Sequence, residues 1–201
     1  MTQARELAEL LIEHGAIEIR PDPADWFTWA SGRRAPVYCD NRRMLSFPSA
    51  RARIAEALSR AVRREFEGVE MIAGTATAGI AWAALVAERL DLPMVYVRGE
   101  AKGHGRHKRV EGRSLEGETL IVLEDLLSFG GSALSAARAL QEEGGKVAGV
   151  QAIVSWGFAE AEQRLSEAGL RSRALVGYPE ILDTLRLSPE QTRVLLDWRA
   201  S

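Results

Sequence analysis

Residues 119–133 read TLIVLEDLLSFGGSA and decide the predicted fold. The apolar run predicts a buried strand over 119–124 that ends at the carboxylates Glu124 and Asp125, and a serine and glycine loop then leads into a helix from Ser132. In an open parallel α/β sheet, ligands bind beyond the carboxyl ends of the strands. Glycines let successive backbone N–H groups point inward, and a helix N-terminus adds positive potential, so the loop suits an anion. Because carboxylates repel phosphate but bind hydroxyl groups, the stretch predicts a sugar phosphate site.

Strands and helices alternate along much of the remaining chain. Continuous apolar runs predict strands buried on both faces, as in a parallel sheet. The predicted strands lie at 70–74, 93–98, 119–124, 147–154 and 173–177, and the predicted helices at 3–14, 48–66, 79–90, 132–143, 158–168 and 188–198. Residues 16–20 and 26–40 are predicted to be extended, with a turn at Ser31-Gly32. This order predicts an α/β fold with a central, mostly parallel sheet flanked by helices.

The composition narrows the class of protein. The chain has 201 residues, of which 46% are hydrophobic and 27% charged, with a net charge of −2. This balance gives no basic field that would recruit nucleic acid or a membrane surface. The single cysteine, Cys39, excludes an internal disulfide framework and a four-cysteine zinc site. We therefore expect one cytoplasmic domain over residues 1–201, with no membrane span.

Residues 99–118, GEAKGHGRHKRVEGRSLEGE, interrupt the alternation with five glycines and almost no apolar side chains. A loop of this length without regular structure is usually functional or disordered. Its basic side chains predict contact with an anion; they are Lys102, His104, Arg106, His107, Lys108 and Arg109. Considered alone, these side chains are equally consistent with a solvated surface loop.

Established phosphate motifs do not account for the 119–133 stretch. No lysine follows Gly131, as a Walker loop requires, and the chain contains no G-x-G-x-x-G fingerprint. A simpler alternative is an ordinary α/β loop whose two acids only cap a helix.

The stretch IVLEDLLSFGGSA resembles the phosphoribosyl-diphosphate signature of the type I phosphoribosyltransferases. The wider chain is similar to the orotate-specific members of that family. The similarity is carried by FTWASGRRAPVYCDNR at 27–42, IAGTATAGIAWAALVAERLDLPMVYVR at 72–98 and EAKGHGRHKRVEG at 100–112, in the order and spacing of the family. The resemblance implies a phosphoribosyltransferase core, a small hood from about residues 1–45 with the C-terminal segment as a further candidate for it, and a mobile loop over about 99–118.

The resemblance also implies a reaction, in which orotate displaces diphosphate from 5-phosphoribosyl 1-diphosphate with Mg²⁺ as cofactor. Mg²⁺ would bridge diphosphate and ribose oxygens, with few direct protein ligands. The implied catalytic residues are Lys102, His104, Glu124 and Asp125. The residues implied to bind phosphoribosyl diphosphate are Thr75, Ala76, Thr77, Arg98, Lys102, His104, Glu124, Asp125, Leu126, Leu127, Ser128, Phe129, Gly130, Gly131 and Ser132. Those implied to bind orotate are Ser31, Gly32, Tyr38, Arg42 and Ser128. A homodimer is implied as well, with the mobile loop closing over the neighbouring subunit's site.

Four positions differ from the family pattern. Ala30 stands where some members have a lysine, and Gly99 where some have a second basic residue. Trp156 lies near the position of an arginine that grips the base in some members. Phe129 occupies a place in the phosphate loop where a small hydroxylated residue is usual. These differences concern the grip on the base and the loop, and they leave the transferase core in place.

Two alternatives remain open at this level. One is a nucleic-acid-binding regulator of the same fold that senses phosphoribosyl diphosphate, with KGHGRHKR as its basic patch. The slightly negative net charge and the lack of a predicted helix-turn-helix or winged domain speak against it. The other is a transferase for a different base, which would share residues 124–132 but would not be expected to carry the 27–42 segment.

Overall fold

The computed structural model describes residues 2–99 and 108–200. Its helices are α1 (Gln3–Glu13), α2 (Pro48–Glu65), α3 (Ala78–Leu90), α4 (Gly131–Glu142), α5 (Ala159–Glu167), α6 (Tyr178–Leu182) and α7 (Pro189–Ala200). Its strands are β1 (Ile17–Ile19), β2 (Phe27–Thr28), β3 (Arg34–Ala35), β4 (Val37–Cys39), β5 (Met71–Thr75), β6 (Met94–Val97), β7 (Val110–Glu111), β8 (Thr119–Leu127), β9 (Lys146–Ser155) and β10 (Arg171–Gly177). Two short 3-10 helices span Pro23–Asp25 and Asn41–Ser46.

The central sheet has six strands in the order β10-β9-β8-β5-β6-β7. All neighbouring pairs are parallel except β6 and β7, which are antiparallel. Side chains of β8 alternate between two apolar clusters, with Leu120 and Val122 in one and Ile121 and Leu123 in the other. Because successive side chains of a strand point to opposite faces, helices cover both sides of the sheet. The predicted α/β fold with a mostly parallel sheet is confirmed.

The strand and helix predictions differ from the structure mainly at the edges of elements. Strand β8 continues past Glu124 to Leu127, and α4 begins at Gly131, one residue before the predicted start. The prediction that 99–118 lacks regular structure is wrong at Val110–Glu111, which pairs with Tyr96 and Val97 of β6. A two-residue strand is too short to show a periodic pattern, and only its pairing with β6 defines its position.

The N-terminal hood packs against the C-terminal helix. Two antiparallel pairs form within it, β1 with β4 and β2 with β3. The Trp198 indole of α7 donates to the Arg34 carbonyl at 3.1 Å, and the Arg33 guanidinium donates to the Trp198 carbonyl at 3.4 Å. Segments from the two ends of the chain therefore meet beside the carboxyl edge of the sheet. Within the described ranges, no helix combines the length and the apolar composition needed to cross a membrane.

Candidate active site

The two central strands bring Thr75 and Glu124 together at the carboxyl edge of the sheet. In the parallel register of β5 and β8, Gly74 lies opposite Leu123, so the next residue of each strand also adjoins the other. The Thr75 hydroxyl lies 2.6 Å from Glu124 Oε1 and 3.1 Å from the Leu123 carbonyl oxygen. Both side chains are buried, Thr75 at 3% and Glu124 at 6% exposure. The Thr75 side chain is thus hydrogen-bonded to the acid on the neighbouring strand.

A glycine makes this close packing possible. A Cβ placed on Gly79, in the first turn of α3, would lie 2.5 Å from both Thr75 Oγ1 and the Leu123 carbonyl oxygen. Only a residue without a side chain lets α3 approach the strand ends so closely. Gly79 therefore sets the position of the loop between β5 and α3.

The two acids differ in their surroundings. Burial raises the pKa of Glu124 to about 7, although the hydrogen bond from Thr75 opposes that rise. Burial also raises the pKa of Asp125, opposed by its hydrogen bond from the Leu126 backbone amide and by the charge of Arg42. Glu124 Oε2 is buried and has no hydrogen-bond partner among the described residues. The pair therefore offers carboxyl oxygens that can bind hydroxyl groups of a sugar.

The loop after β8 has the geometry of an anion site. Gly130 precedes α4 with a φ of 74°, a left-handed conformation that favours glycine, and its carbonyl accepts the Leu134 amide at 2.9 Å. The first backbone N–H groups of α4 have no partner within the helix, and they point beyond its N-terminus. The predicted phosphate loop, residues 128–132, therefore stands directly beside Glu124 and Asp125.

A cavity of about 320 Å³ lies between this loop and the end of β5. It is lined by Thr75, Ala76, Val97, Arg98, Gly99, Arg109, Gly131, Ser132, Ser135 and Ala136. We call it the anion cavity, because two arginines and the N-terminus of α4 line it. Arg98 also lies 3.6 Å from Glu111 through its Nη1 atom. Thr77 is the N-cap residue of α3 and lies two positions after Thr75.

Arg109, one of the loop side chains predicted to contact an anion, lines this cavity. Its guanidinium donates to the Arg98 carbonyl at 3.0 Å and to the Ser135 carbonyl at 3.4 Å, and the Arg98 amide donates to the Arg109 carbonyl at 2.9 Å. These bonds hold Arg98 and Arg109, the two ends of the 98–109 segment, together at the cavity. Lys102 and His104, predicted to act from this segment, lie outside the described residues.

A second cavity, of about 440 Å³, borders the other side of the phosphate loop. It is lined by Phe27, Thr28, Trp29, Ala30, Tyr38, Cys39, Leu126, Ser128 and Trp156. We call it the base cavity, because flat aromatic rings dominate its walls. Burial raises the pKa of the Cys39 thiol, which keeps that wall uncharged.

The predicted orotate-binding residues divide between this cavity and its surroundings. Tyr38 and Ser128 are among its lining residues, whereas Ser31, Gly32 and Arg42 are not. Ser31 and Gly32 lie in the turn between β2 and β3, and Arg42 forms an ion pair with Asp40 at 2.6 Å. The direct roles predicted for these three residues thus receive no support from the lining of the cavity.

The structure also separates the residues of the 126–132 segment. Leu126 and Ser128 border the base cavity, while Gly131 and Ser132 border the anion cavity. Leu127 is buried in the apolar core and lines neither cavity. Phe129 packs among other aromatic rings.

Asn41 supports the acidic pair from a distant part of the sequence. Its side-chain amide donates to the Asp125 backbone carbonyl at 2.8 Å, and the residue is fully buried. In the sequence, 84 positions separate Asn41 from Asp125. Only the tertiary fold reveals this contact.

Comparison with known proteins agrees with this geometry. Residues 45–170 match the family model described as "Phosphoribosyl transferase domain". The orotate phosphoribosyltransferase of Fusobacterium nucleatum is 42% identical over 199 residues, which cover 97% of this chain and 94% of that protein. The structure of orotate phosphoribosyltransferase from Aeropyrum pernix superposes with a TM-score of 0.77 at 32% identity, covering 88% of this chain and 96% of that one.

A further solved structure carries a ligand. Orotate phosphoribosyltransferase from Mycobacterium tuberculosis, in complex with 5-phospho-alpha-D-ribosyl 1-diphosphate, superposes with a TM-score of 0.68 at 27% identity over 90% of this chain and 99% of that one. The family match and the near-complete coverage at 42% identity agree with one another. The chain belongs to the phosphoribosyltransferase family and, within it, to the orotate phosphoribosyltransferases.

Proposed function

We propose that this chain transfers the 5-phosphoribosyl group from 5-phosphoribosyl 1-diphosphate to orotate, giving orotidine 5′-phosphate and diphosphate in pyrimidine biosynthesis. One observation carries the proposal: the phosphate loop borders both an apolar, aromatic cavity and a cavity lined by arginines. The acids Glu124 and Asp125 end the strand from which the loop leaves. These three environments suit a ligand with three parts: a flat base, a ribose and a diphosphate.

The reaction is a substitution at the anomeric carbon of the ribose. As the bond to diphosphate breaks, positive charge develops on the sugar and negative charge on the leaving group. Glu124 and Asp125 would hold the ribose hydroxyls, with the Asp125 carboxylate near the positive charge. Arg98 and Arg109, which line the anion cavity, would face the negative charge. Groups fixed in place before the reaction stabilise such charge separation most effectively.

Lys102 is proposed to reach the leaving diphosphate from the 99–118 loop, together with His104. The support is the resemblance of the 100–112 motif to the mobile loop of the family, and Arg98 and Arg109, which are bonded to each other, flank the part of the loop that holds both residues. The backbone of Ala76 and Thr77 is proposed to contact the same diphosphate.

Mg²⁺ is proposed as the cofactor. Within residues 2–99 and 108–200, no group of three or more His, Cys, Asp or Glu side chains is arranged to hold a metal ion. The carboxyl oxygens of Glu124 and Asp125 are nevertheless hard donors, and Glu124 Oε2 has no partner among the described residues. This donor set fits an ion held mainly by substrate oxygens and water, as Mg²⁺ prefers. When bound, the ion would offset the charge of the diphosphate.

A spectrophotometric assay of orotate consumption tests the function. Purified protein is mixed with orotate, 5-phosphoribosyl 1-diphosphate and Mg²⁺, with uracil, hypoxanthine and adenine in parallel reactions. Consumption of orotate alone, abolished by EDTA and restored by added Mg²⁺, is the expected result. Turnover of another base would contradict the assignment of orotate. Binding of phosphoribosyl diphosphate without any turnover would favour the regulator of the same fold.

We further propose a cytoplasmic homodimer in which the 99–118 loop of one subunit acts at the site of the other. The support is the family resemblance of the loop motif. A mixture of the Lys102→Ala and Asp125→Asn variants tests it, since hybrid dimers would regain one intact site if the loop acts in trans. Activity well above that of either variant alone is expected. No recovery after confirmed subunit exchange would place the loop in its own subunit's site.

A further inference from the structure

Phe129 is the only apolar residue of the phosphate loop, residues 128–132. Its ring stacks on Phe158 with centroids 4.8 Å apart and planes 1° from parallel. Trp29 meets it in edge-to-face geometry at a centroid distance of 6.4 Å, and the Arg33 guanidinium carbon lies 5.4 Å from its centroid. The loop is thus anchored through a ring that lines neither the anion cavity nor the base cavity.

The rings around Phe129 come from distant parts of the chain. We call Trp29, Phe129, Phe158 and Trp198 the aromatic cluster. Trp198 of α7 meets Trp29 at 5.8 Å and Phe158 at 5.4 Å between ring centroids, both in edge-to-face geometry. Such pairs stabilise beyond the area that they bury. The cluster therefore ties the phosphate loop to the hood and to the C-terminal helix.

Trp29 belongs to this cluster and to the wall of the base cavity at the same time. Its indole N–H donates to the Val37 carbonyl at 2.9 Å, which holds the ring in place. A shift of Phe129 would therefore move Trp29 and change the wall of the base cavity. Ser128, the neighbour of Phe129 in the chain, lines that cavity directly.

We propose that Phe129 is a positioning residue that couples the phosphate loop to the wall of the base cavity. This proposal rests on the proposed function. A ligand that occupies both the phosphate loop and the base cavity requires a fixed position of the loop relative to Trp29 in the cavity wall. A sugar phosphate alone requires only the loop. Loss of the Phe129 ring should therefore weaken the first kind of ligand more than the second.

The test compares two ligands on two matched variants. Orotidine 5′-phosphate spans both places, and ribose 5-phosphate occupies the loop alone; both are titrated while tryptophan fluorescence is recorded. Phe129→Leu removes the ring in the cluster. Phe66→Leu removes a ring that is 2% exposed and packs against Arg171, away from the aromatic cluster and both cavities. Phe129→Tyr keeps the ring.

For Phe129→Leu, we expect the affinity for orotidine 5′-phosphate to fall roughly three- to tenfold, in line with aromatic pair energies, and the affinity for ribose 5-phosphate to fall by less than about twofold. Phe129→Tyr and Phe66→Leu should bind both ligands as the unchanged protein does. Equal losses for both ligands, no loss for either, or the same loss in Phe66→Leu would overturn the coupling. If the unchanged protein failed to bind orotidine 5′-phosphate, the proposed function would fall, and the coupling with it.

Discussion

The Thr75 hydroxyl and the Glu124 carboxylate lie 2.6 Å apart and join the ends of the two central strands. A hydroxyl has one hydrogen to donate, and two acceptors compete for it, Glu124 Oε1 and the Leu123 carbonyl oxygen at 3.1 Å. The shorter distance favours Glu124 as the acceptor. Thr75 therefore has two roles in the proposed site. It begins the loop proposed to hold diphosphate, and its hydroxyl positions Glu124, which is proposed to hold ribose.

Replacing Thr75 by valine should reduce catalysis without unfolding the protein. Valine keeps the shape of the side chain but leaves Glu124 Oε1 without its side-chain donor in a buried place. Loss of one partner of a buried group costs about 1–3 kcal/mol, so kcat/KM for phosphoribosyl diphosphate should fall roughly fivefold to a hundredfold. Steady-state kinetics measure this, and Thr75→Ser, which keeps the hydroxyl, should stay close to the original values. Unchanged kinetics in Thr75→Val would show that the hydrogen bond has no role in the site.

Glu124→Gln should stabilise the protein in a pH-dependent way. Burial raises the pKa of Glu124 from 4.5 to about 7. Below pH 4.5 the carboxyl is protonated in both the folded and the unfolded state, so it contributes no difference. As the pH rises from 4.5 to 7, the unfolded chain loses the proton first, which favours unfolding, and the cost is complete above pH 7. Glutamine removes this cost.

Thermal unfolding without ligand at pH 5 and at pH 8 measures the effect. The rise in Tm from Glu124→Gln should be larger at pH 8 than at pH 5. Asp125 is present in both the unchanged protein and the Glu124→Gln variant, so its titration contributes to the pH dependence of Tm in both. A change in Tm that is the same at both pH values would mean that Glu124 titrates alike in the folded and unfolded states.

The central sheet is predictable from sequence because its signal is local. Each buried strand is a continuous apolar run, and each covering helix has its own period. The β7 strand is different, since Val110–Glu111 is defined only by its pairing with β6. The two 3-10 helices and the short α6 likewise carry too few residues for a periodic pattern.

The site is predictable only in part, for a similar reason. Glu124, Asp125 and the loop through Ser132 are contiguous, so the sequence displays them together. The support of Asp125 by Asn41 joins residues 84 positions apart. The inward direction of the Thr75 hydroxyl also depends on the register of two strands. Such contacts appear only once the chain is folded.

Asp125→Asn should slow transfer while leaving the fold intact. Asn41 holds the Asp125 backbone carbonyl, and this bond does not depend on the Asp125 side chain. Asparagine lacks the negative charge proposed to face the developing positive charge, so kcat should fall by at least about tenfold. Circular dichroism and Tm check the fold. An Asp125→Asn protein that is unfolded would mean that the carboxylate is structural.

Asn41→Ala is the complementary change to Asp125→Asn. It removes the donor to the Asp125 backbone, and it leaves a buried carbonyl with one partner fewer. We expect both a lower Tm and a lower kcat, with the loss in stability on the order of 1–3 kcal/mol. Denaturant unfolding and steady-state assays on the same preparation measure the two effects. A normal kcat with a lowered Tm would limit Asn41 to a structural role.

Lys102→Ala should lower kcat much more than it weakens the binding of phosphoribosyl diphosphate. A lysine that meets the leaving group acts on charge that develops in the transition state, so its loss affects the rate more than the ground-state complex. Lys108→Ala is the matched control, because Lys108 forms an ion pair with Glu143 at 2.7 Å on the exposed side of the same segment. Its kcat should stay within about twofold, since exposed ion pairs contribute little. Equal losses of kcat and affinity in Lys102→Ala would reduce its role to holding the substrate.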